Sequence, residues 1–361
     1  MGTRGIPNNY GGFEQIAHRL AVGLVRKGHR VTVYNTHDHP NKKPDLDGIN
    51  IIHCFNAENV LGTAGQFIYD LNCISNARSQ DFDVILFLGY TSSSVWGRLF
   101  PKKPVIISNM DGMEWKRAKY TKIVRSFLQY AEKLAVKYSH YLVADSIAIQ
   151  TYLENKYELA SSYIPYGAEI ATPGESGLQD FGLHPFDYYL LIARMEPENN
   201  IDMILDGFCK SSSKKKFVVI GSTANRFGKK MLEKYRKDGR VHFAGAVFDA
   251  QKLHVIRAYC KLYFHGHSVG GTNPSLLEAM ADGAFIAAHD NEFNRSVLLG
   301  DAFYFSTAAM VQQLIDNTAN EESRQAMVAN NLAKIRSTYN WPAIVRAYEN
   351  FIVDCFNKGR K

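Results

Sequence analysis

The sequence predicts an α/β protein made of two doubly wound halves, and three observations carry that prediction. Apolar runs of strand length alternate with stretches of helical spacing. The alternation stops at a Pro- and Gly-rich segment and restarts at Tyr188, and a chain of 361 residues is long for a single hydrophobic core. Continuous apolar strands set between helices indicate parallel sheets covered on both faces.

The elements follow in order. A Gly-rich turn, Tyr10, Gly11 and Gly12, leads into a helix from Phe13 to Lys27, and RVTVYN from Arg30 is expected as the second strand of a doubly wound sheet. The first strand, which should feed the glycine turn, is missing, so the start at Met1 is expected to be several residues late. DVILFLG from Asp83, PVIISNM from Pro104 and HYLVADS from His140 supply further strands, giving a first domain over residues 1–165. The patternless stretch IPYGAEIATPGESGLQDFGLHPFD reads as a linker, placed at 166–186. YYLLIAR, FVVIGS, VHFAG, KLYFHGHS and AFIAAHD then supply the strands of a second domain over 187–340, followed by a terminal segment at 341–361. A crevice between two such halves is the expected ligand site.

Composition narrows the function classes. A chain that is 46% hydrophobic and 21% charged is an ordinary globular protein, and no run approaches the roughly 18–20 apolar residues of a membrane span. With no basic-then-apolar start of a secretory signal, a cytoplasmic protein is expected. The five cysteines have no paired spacing, which argues against a zinc knuckle or a disulfide framework. A net charge of +7 favours anionic partners without separating nucleic acid, anionic lipid and phosphorylated metabolites. Between Trp115 and His140 fall Lys116, Arg117, Lys119, Lys122, Arg125, Lys133 and Lys137 against Glu132 alone. Ile123, Phe127, Leu128, Ala131, Leu134, Ala135 and Tyr138 recur there at helical spacing. The stretch reads as an amphipathic basic helix, either a solvated face or a patch turned toward a membrane or an acceptor.

Each half has one Gly-rich turn ahead of a helix: Tyr10, Gly11 and Gly12 before Phe13, and Gly270, Gly271, Thr272 and Asn273 before Pro274. Backbone N–H groups at a helix start, with no Cβ in the way, bind anionic oxygens, although a lone Gly-Gly is often only a tight turn. Pro274 suits a first helical position. Glu278 comes one turn into that helix, where a carboxylate either accepts bonds from the two hydroxyls of a ribose or merely favours the helix dipole. Arg194 ends the strand YYLLIAR, where a guanidinium clamps a diphosphate or forms a surface salt bridge.

These residues carry a resemblance. ARMEPENNIDMILDG followed by GGTNPSLLEAMADG resembles the second domain of the family 4 glycosyltransferases. GTRGIPNNYGGFE with DGMEWKRAKY resembles the branch containing capsule and exopolysaccharide β-1,4-rhamnosyltransferases. NWPAIVRAYENF is similar to the last helix of that family, which crosses back to the first domain. The resemblance implies the GT-B fold, two facing Rossmann-like domains with an interdomain cleft, and sugar transfer that retains anomeric configuration with no cofactor and no metal. It also implies a nucleotide-sugar donor and a glycan acceptor on a lipid carrier of the undecaprenyl diphosphate type, with the protein peripheral to the inner leaflet of the cytoplasmic membrane and binding no nucleic acid.

Carried over by position, Glu278 meets the nucleotide ribose. The family's other donor-site glutamate falls at Gly270, and its arginine and lysine pair falls at Arg194 and Asn199, so one carboxylate and one cation are lost. Backbone amides from Gly271 to Ser275 then carry more of the phosphate charge. Gly221, His267, Gly270, Gly271, Thr272, Asn273, Pro274, Ser275 and Leu276 complete the donor set. Loss of a hydroxyl-binding carboxylate suits a deoxysugar such as rhamnose. Asp111 and Glu114 are the catalytic candidates, near the reacting carbon and the acceptor hydroxyl. Arg4, Tyr10, Gly11 and Gly12 form a phosphate or acceptor loop, and Trp115, Lys116, Arg117 and Lys119 face the acceptor or the membrane.

Other signals are weaker. His37 with His39 and His265 with His267 lack a third metal ligand at usual spacing. The pairs Asp45, Asp47 and Asp81, Asp83 read as structural, and the dinucleotide fingerprint and a nucleophile elbow are absent. A nucleotide-sugar epimerase on the same fold is the main alternative. A basic nucleic-acid-binding protein would need more basic and aromatic surface than one helix supplies.

Overall fold

The computed structural model describes the whole chain except Asn9, Tyr10, Asp111, Ala118, Lys119, Thr172, Pro173, residues 318–320 and Lys361, and the side chains of Glu175 and Ser176. It divides into two compact units. The first comprises residues 1–116, 120–166 and 341–361, and the second comprises 117–119 and 167–340.

In the first unit, helix α1 (Gly12–Arg26) buries Ile16, Ala17, Leu20 and Ala21 on one face. On that helix Gly23 admits the chain's last helix, Trp341–Lys358. A Cβ at this position would stand 2.5 Å from Val345 Cγ1, and Lys27 pairs with Glu349 at 2.6 Å beside it. Strand β1 (Thr32–Thr36) runs parallel to β3 (Ile49–Cys54). The short β2 (Asp45–Leu46) pairs antiparallel to β3 across Asp47 and Gly48, both at positive φ as a tight hairpin turn demands. Asp45 thus belongs to a short strand and Asp47 to the turn after it. Helices α2 (Glu58–Leu61) and α3 (Gly65–Ala77) follow. Strands β4 (Val84–Leu88), β5 (Val105–Asn109), β6 (Tyr141–Ala144) and β7 (Ser162–Tyr163) form a second parallel sheet in that order. Between β5 and β6 lies α4 (Lys122–Tyr138), N-capped by Thr121, and between β6 and β7 lies α5 (Ile147–Tyr157), N-capped by Ser146.

No strand precedes α1 among the described residues. Instead the first residues bond to both sheets: the Leu88 N–H donates to the Met1 carbonyl at 2.9 Å and the Thr36 N–H to the Arg4 carbonyl at 3.0 Å. One apolar core holds Tyr34 and Cys54 from one sheet together with Ile85, Phe87 and Ile106 from the other, under Tyr69, Cys73 and Ile74 of α3.

The second unit has one sheet of six parallel strands: β8 (Tyr188–Ile192), β9 (Lys216–Ile220), β10 (Val241–Gly245), β11 (Leu262–His265), β12 (Ile286–His289) and β13 (Phe303–Phe305). Helices α6 (Ile201–Lys210), α7 (Arg226–Tyr235), α8 (Ala250–Ala258), α9 (Pro274–Ala281), α10 (Glu292–Leu298), α11 (Ala308–Asp316) and α12 (Glu321–Ser337) intervene and follow. The spatial order β10-β9-β8-β11-β12-β13 is doubly wound, with strand order reversing between β8 and β11. The near-continuous apolar runs of the central strands β8, β9, β11 and β12 are buried on both faces, and Tyr189, Phe208, Phe217, Phe264 and Phe305 pack ring to ring in the core. The expected linker is not structureless, since Glu175–Phe181 winds as a short 3-10 helix in this unit.

Candidate functional site

Open parallel sheets place ligands outside the carboxyl ends of the strands where the order reverses. In the second unit that point lies between the end of β8, followed by Arg194, and the end of β11, followed by the turn into α9. Arg194 is exposed there. At Gly266 the chain passes so close to the α6 entry that a Cβ would stand 2.0 Å from the Asn199 carbonyl oxygen. Any side chain would have to displace backbone.

Polar side chains fix the three residues after β11. Asn200 Nδ2 donates to the Gly266 carbonyl at 2.8 Å. Asn291 and Asn294 both donate to the His267 carbonyl at 3.0 Å. The Ser268 N–H and hydroxyl both donate to the Glu198 carbonyl, at 3.0 and 2.8 Å. Asn199 Nδ2 donates to the Arg194 carbonyl at 2.7 Å, which leaves its Oδ1 to accept from His267 Nδ1 at 2.9 Å. His267 therefore carries its proton on Nδ1 and turns Nε2 toward Gly270, 3.2 Å from where a Cβ there would sit. Asn199 stands where the resemblance expects a lysine and does a different job, holding Arg194 and His267 in register.

Burial pushes the His265 imidazolium down to about 3, and it does the same to His267, where the nearby cations Arg117 and Arg194 add to the effect. His265 Nε2 is buried and has no hydrogen-bond partner among the described residues. Both rings are thus neutral donors or acceptors at physiological pH. The sign follows from linkage: the folded state binds fewer protons than the unfolded state between about 3 and the ordinary 6.5, so both rings cost stability as pH falls through that window. Nitrogen NMR at pH 5.5 should give neutral-imidazole shifts for both, and imidazolium shifts there would contradict the assignment.

Helix α9 begins at Pro274, and its N-cap Asn273 accepts from the Ser275 N–H at 2.9 Å. Of the amides from Gly271 to Ser275, that of Ser275 is thus engaged by the cap, and Pro274 has none. Gly270 holds φ +128°, a conformation that side-chain-bearing residues rarely adopt, so the glycine in place of a carboxylate is also a backbone requirement. Thr272 and Leu276 are buried, and the Ser275 hydroxyl lies 3.0 Å from the Tyr263 hydroxyl. Gly221 directly follows β9 and lies against Ala193, whose carbonyl oxygen would be 2.1 Å from a Cβ there.

Glu278 is about one-third exposed, with a side-chain accessibility of 30% against 3% for its partner, Arg257 of α8. The Arg257 guanidinium donates to Glu278 and, at 3.1 Å, to Asp282. His254 completes the chain at 2.6 Å from Asp282. Arg257 has no local sequence signal, because its partners lie 21 and 25 positions away. Glu198, also missed, is buried; it accepts from Arg117 at 3.2 Å, and its Oε2 has no partner among the described residues.

Asp111 and Tyr10 of the first unit, and also Lys119, fall outside the described residues. Gly11 is the extended N-cap of α1 and Gly12 its first residue. The Arg4 guanidinium grips Glu58 through two bonds, at 2.8 and 2.7 Å. Glu114 and Lys116 bound a short 3-10 turn, with Lys116 exposed. Trp115 between them points inward, its indole N–H donating to Glu132 at 3.2 Å. Glu132 is buried and also accepts from Tyr152, Lys156 and Tyr157, at 2.8, 2.7 and 2.6 Å. Among the described residues no group of three or more His, Cys, Asp or Glu could hold a metal ion.

Residues 1–169 match the family model for a "Domain of unknown function (DUF1972)", and residues 184–333 match the model for "Glycosyl transferases group 1". No curated protein matches the chain. Among solved structures, the fold is similar to that of sucrose-phosphate synthase from Thermosynechococcus elongatus, at 14% identity and TM-score 0.79, covering 97% of this chain and 94% of that one. HepE from Anabaena in complex with UDP-glucose is similar at 15% identity and TM-score 0.74, covering 97% and 98%. A glycosyltransferase from Rickettsia africae is similar at 13% identity and TM-score 0.71, covering 98% of each chain. The fold is therefore that of the GT-B glycosyltransferases, and the glycosyl transferases group 1 match is confined to residues 184–333.

Proposed function

We propose that this chain, which carries a glycosyl transferases group 1 domain on a GT-B fold, is a retaining, metal-independent glycosyltransferase. It moves a sugar from a nucleoside diphosphate to a lipid-linked glycan intermediate in surface polysaccharide synthesis. The observation that carries the reading is the switch point of the second sheet, where an exposed arginine, a polar glycine turn and a helix bearing an anchored carboxylate occur together. The UDP-glucose complex of HepE adds support for a nucleotide-sugar donor.

Arg194 and the amides at the start of α9 hold the diphosphate, where helix dipole and guanidinium act in the same direction. Glu278, aimed by Arg257, accepts from the ribose hydroxyls. As the glycosidic bond breaks, negative charge grows on the leaving phosphate, and donors already clamped in place stabilise it without reorganising. The neutral His267 ring offers a hydrogen bond without adding a cation to the sugar side. Gly270 presents no carboxylate to sugar hydroxyls, which suits a deoxysugar such as rhamnose. Asp111 and Glu114 are the acids assigned to the acceptor hydroxyl, and Lys116 and Arg117 the cations assigned to the carrier's pyrophosphate. The protein works at the inner leaflet as a peripheral protein; no described helix is long and apolar enough to cross a membrane.

Purified protein incubated with membrane lipid extract and a panel of nucleotide sugars tests this reading. Sugar should appear in the lipid fraction, fastest from the rhamnose nucleotide and equally well in EDTA. A glucose nucleotide turning over faster would overturn the rhamnose assignment. Conversion of the nucleotide sugar with no lipid present would favour an epimerase.

A further inference from the structure

We propose that the first unit docks on an anionic lipid bilayer through the outer face of α4 and the adjoining α2 turn, not through Trp115 and its loop. The proposal rests on the lipid-linked acceptor reading and specifies the surface that serves it.

Helix α4 buries Leu128, Ala131, Glu132 and Ala135, and its opposite side is exposed. At about 100° per residue that outer side divides lengthwise. Ile123, Phe127 and Tyr130, at spacings of four and three, make an apolar stripe in which Ile123 is 83% and Tyr130 56% exposed. Lys122, Lys133 and Lys137 line the adjacent stripe, all exposed. The apolar stripe continues beyond the helix. The Phe127 ring lies 5.7 Å from that of Phe67 at the start of α3, and α2, just ahead of it, carries Val60 at 85% exposure.

Single exposed apolar residues are ordinary, but an apolar ridge edged by lysines is the pattern of a helix lying in the headgroup plane, with apolar tips in the acyl boundary and ammonium groups on phosphates. Glu132 is the only acid between Trp115 and His140, and it is spent inside the unit on Trp115, Tyr152, Lys156 and Tyr157. The outer face of α4 therefore carries cations and no carboxylate. That charge pattern selects an anionic bilayer rather than a neutral one.

Flotation of the full chain with vesicles of phosphatidylethanolamine and phosphatidylglycerol, against vesicles of phosphatidylcholine alone, reads this directly. The wild type should float with the first and stay behind with the second. Val60→Ser with Ile123→Ser, and separately Lys133→Glu with Lys137→Glu, should each weaken flotation about tenfold or more. Their melting curves and their nucleotide-sugar uptake by calorimetry should stay at wild-type values. The charge variant should also lose the fall in binding with added salt. The proposal is overturned if wild type ignores anionic vesicles or if both variants float as it does. It is likewise overturned if the serine variant splits a dimer of the wild type, which would make this face a contact between copies. Vesicle binding without nucleotide-sugar uptake would leave the docking face standing and sink the transferase reading instead.

Discussion

Arg257→Met should destabilise the second unit by about 3–5 kcal/mol, because it breaks a buried ion pair by removing one partner. The Arg257 and Asp282 side chains are 3% and 0% exposed. Burial already pushes the Asp282 carboxyl up, and Arg257 and His254 are the groups that hold it down. Without the guanidinium, Asp282 must protonate or remain a buried anion with only His254 beside it. For a domain of this size each kcal/mol moves Tm by about 2–4 °C, so the loss should be plain in a thermal melt. Asp282→Asn in the same background should recover part of it, since the two changes act on one charge pair. A melt unchanged by Arg257→Met would mean that the network carries no structural energy.

Glu278→Ala should act on ligand more than on fold, because Glu278 is partly exposed and Arg257 keeps Asp282 as a partner. Two ribose hydroxyls donating to one carboxylate are charge-assisted bonds; the alanine removes both, and with water filling the space left by the side chain the net cost is about 1.5–3 kcal/mol. The donor Kd should weaken about ten- to hundredfold and KM should rise with it, while kcat falls less. The ribose is remote from the breaking bond and is bound alike before and during reaction. An unchanged Kd would remove Glu278 from the donor site.

The fold was legible where the signal is local. Long apolar runs such as YYLLIAR and FVVIGS become buried parallel strands, and the Phe13 helix differs from the expected bounds by one residue at each end. Phe303–Phe305 escaped because three residues show no period, and the Asp47–Gly48 hairpin because its first strand is two residues long. In the candidate site, the turn at Gly270 and the carboxylate at Glu278 could be read from spacing and helix geometry. Their supports could not. Arg257 and the asparagines at 291 and 294 reach the site from elements far along the chain, and nothing in their neighbourhoods marks them. Trp115 shows the same limit in the first unit. Set among lysines it reads as a surface residue, yet Glu132, 17 positions on, turns it inward.

The account turns on the start of α9 being the seat of a nucleoside diphosphate, and a crystal structure of the chain soaked with the nucleotide tests that most directly. The diphosphate should lie against Arg194 and the amides of Gly271 to Asn273, with the ribose hydroxyls on Glu278. Nucleotide bound elsewhere, with Arg194 and Glu278 untouched, would contradict it.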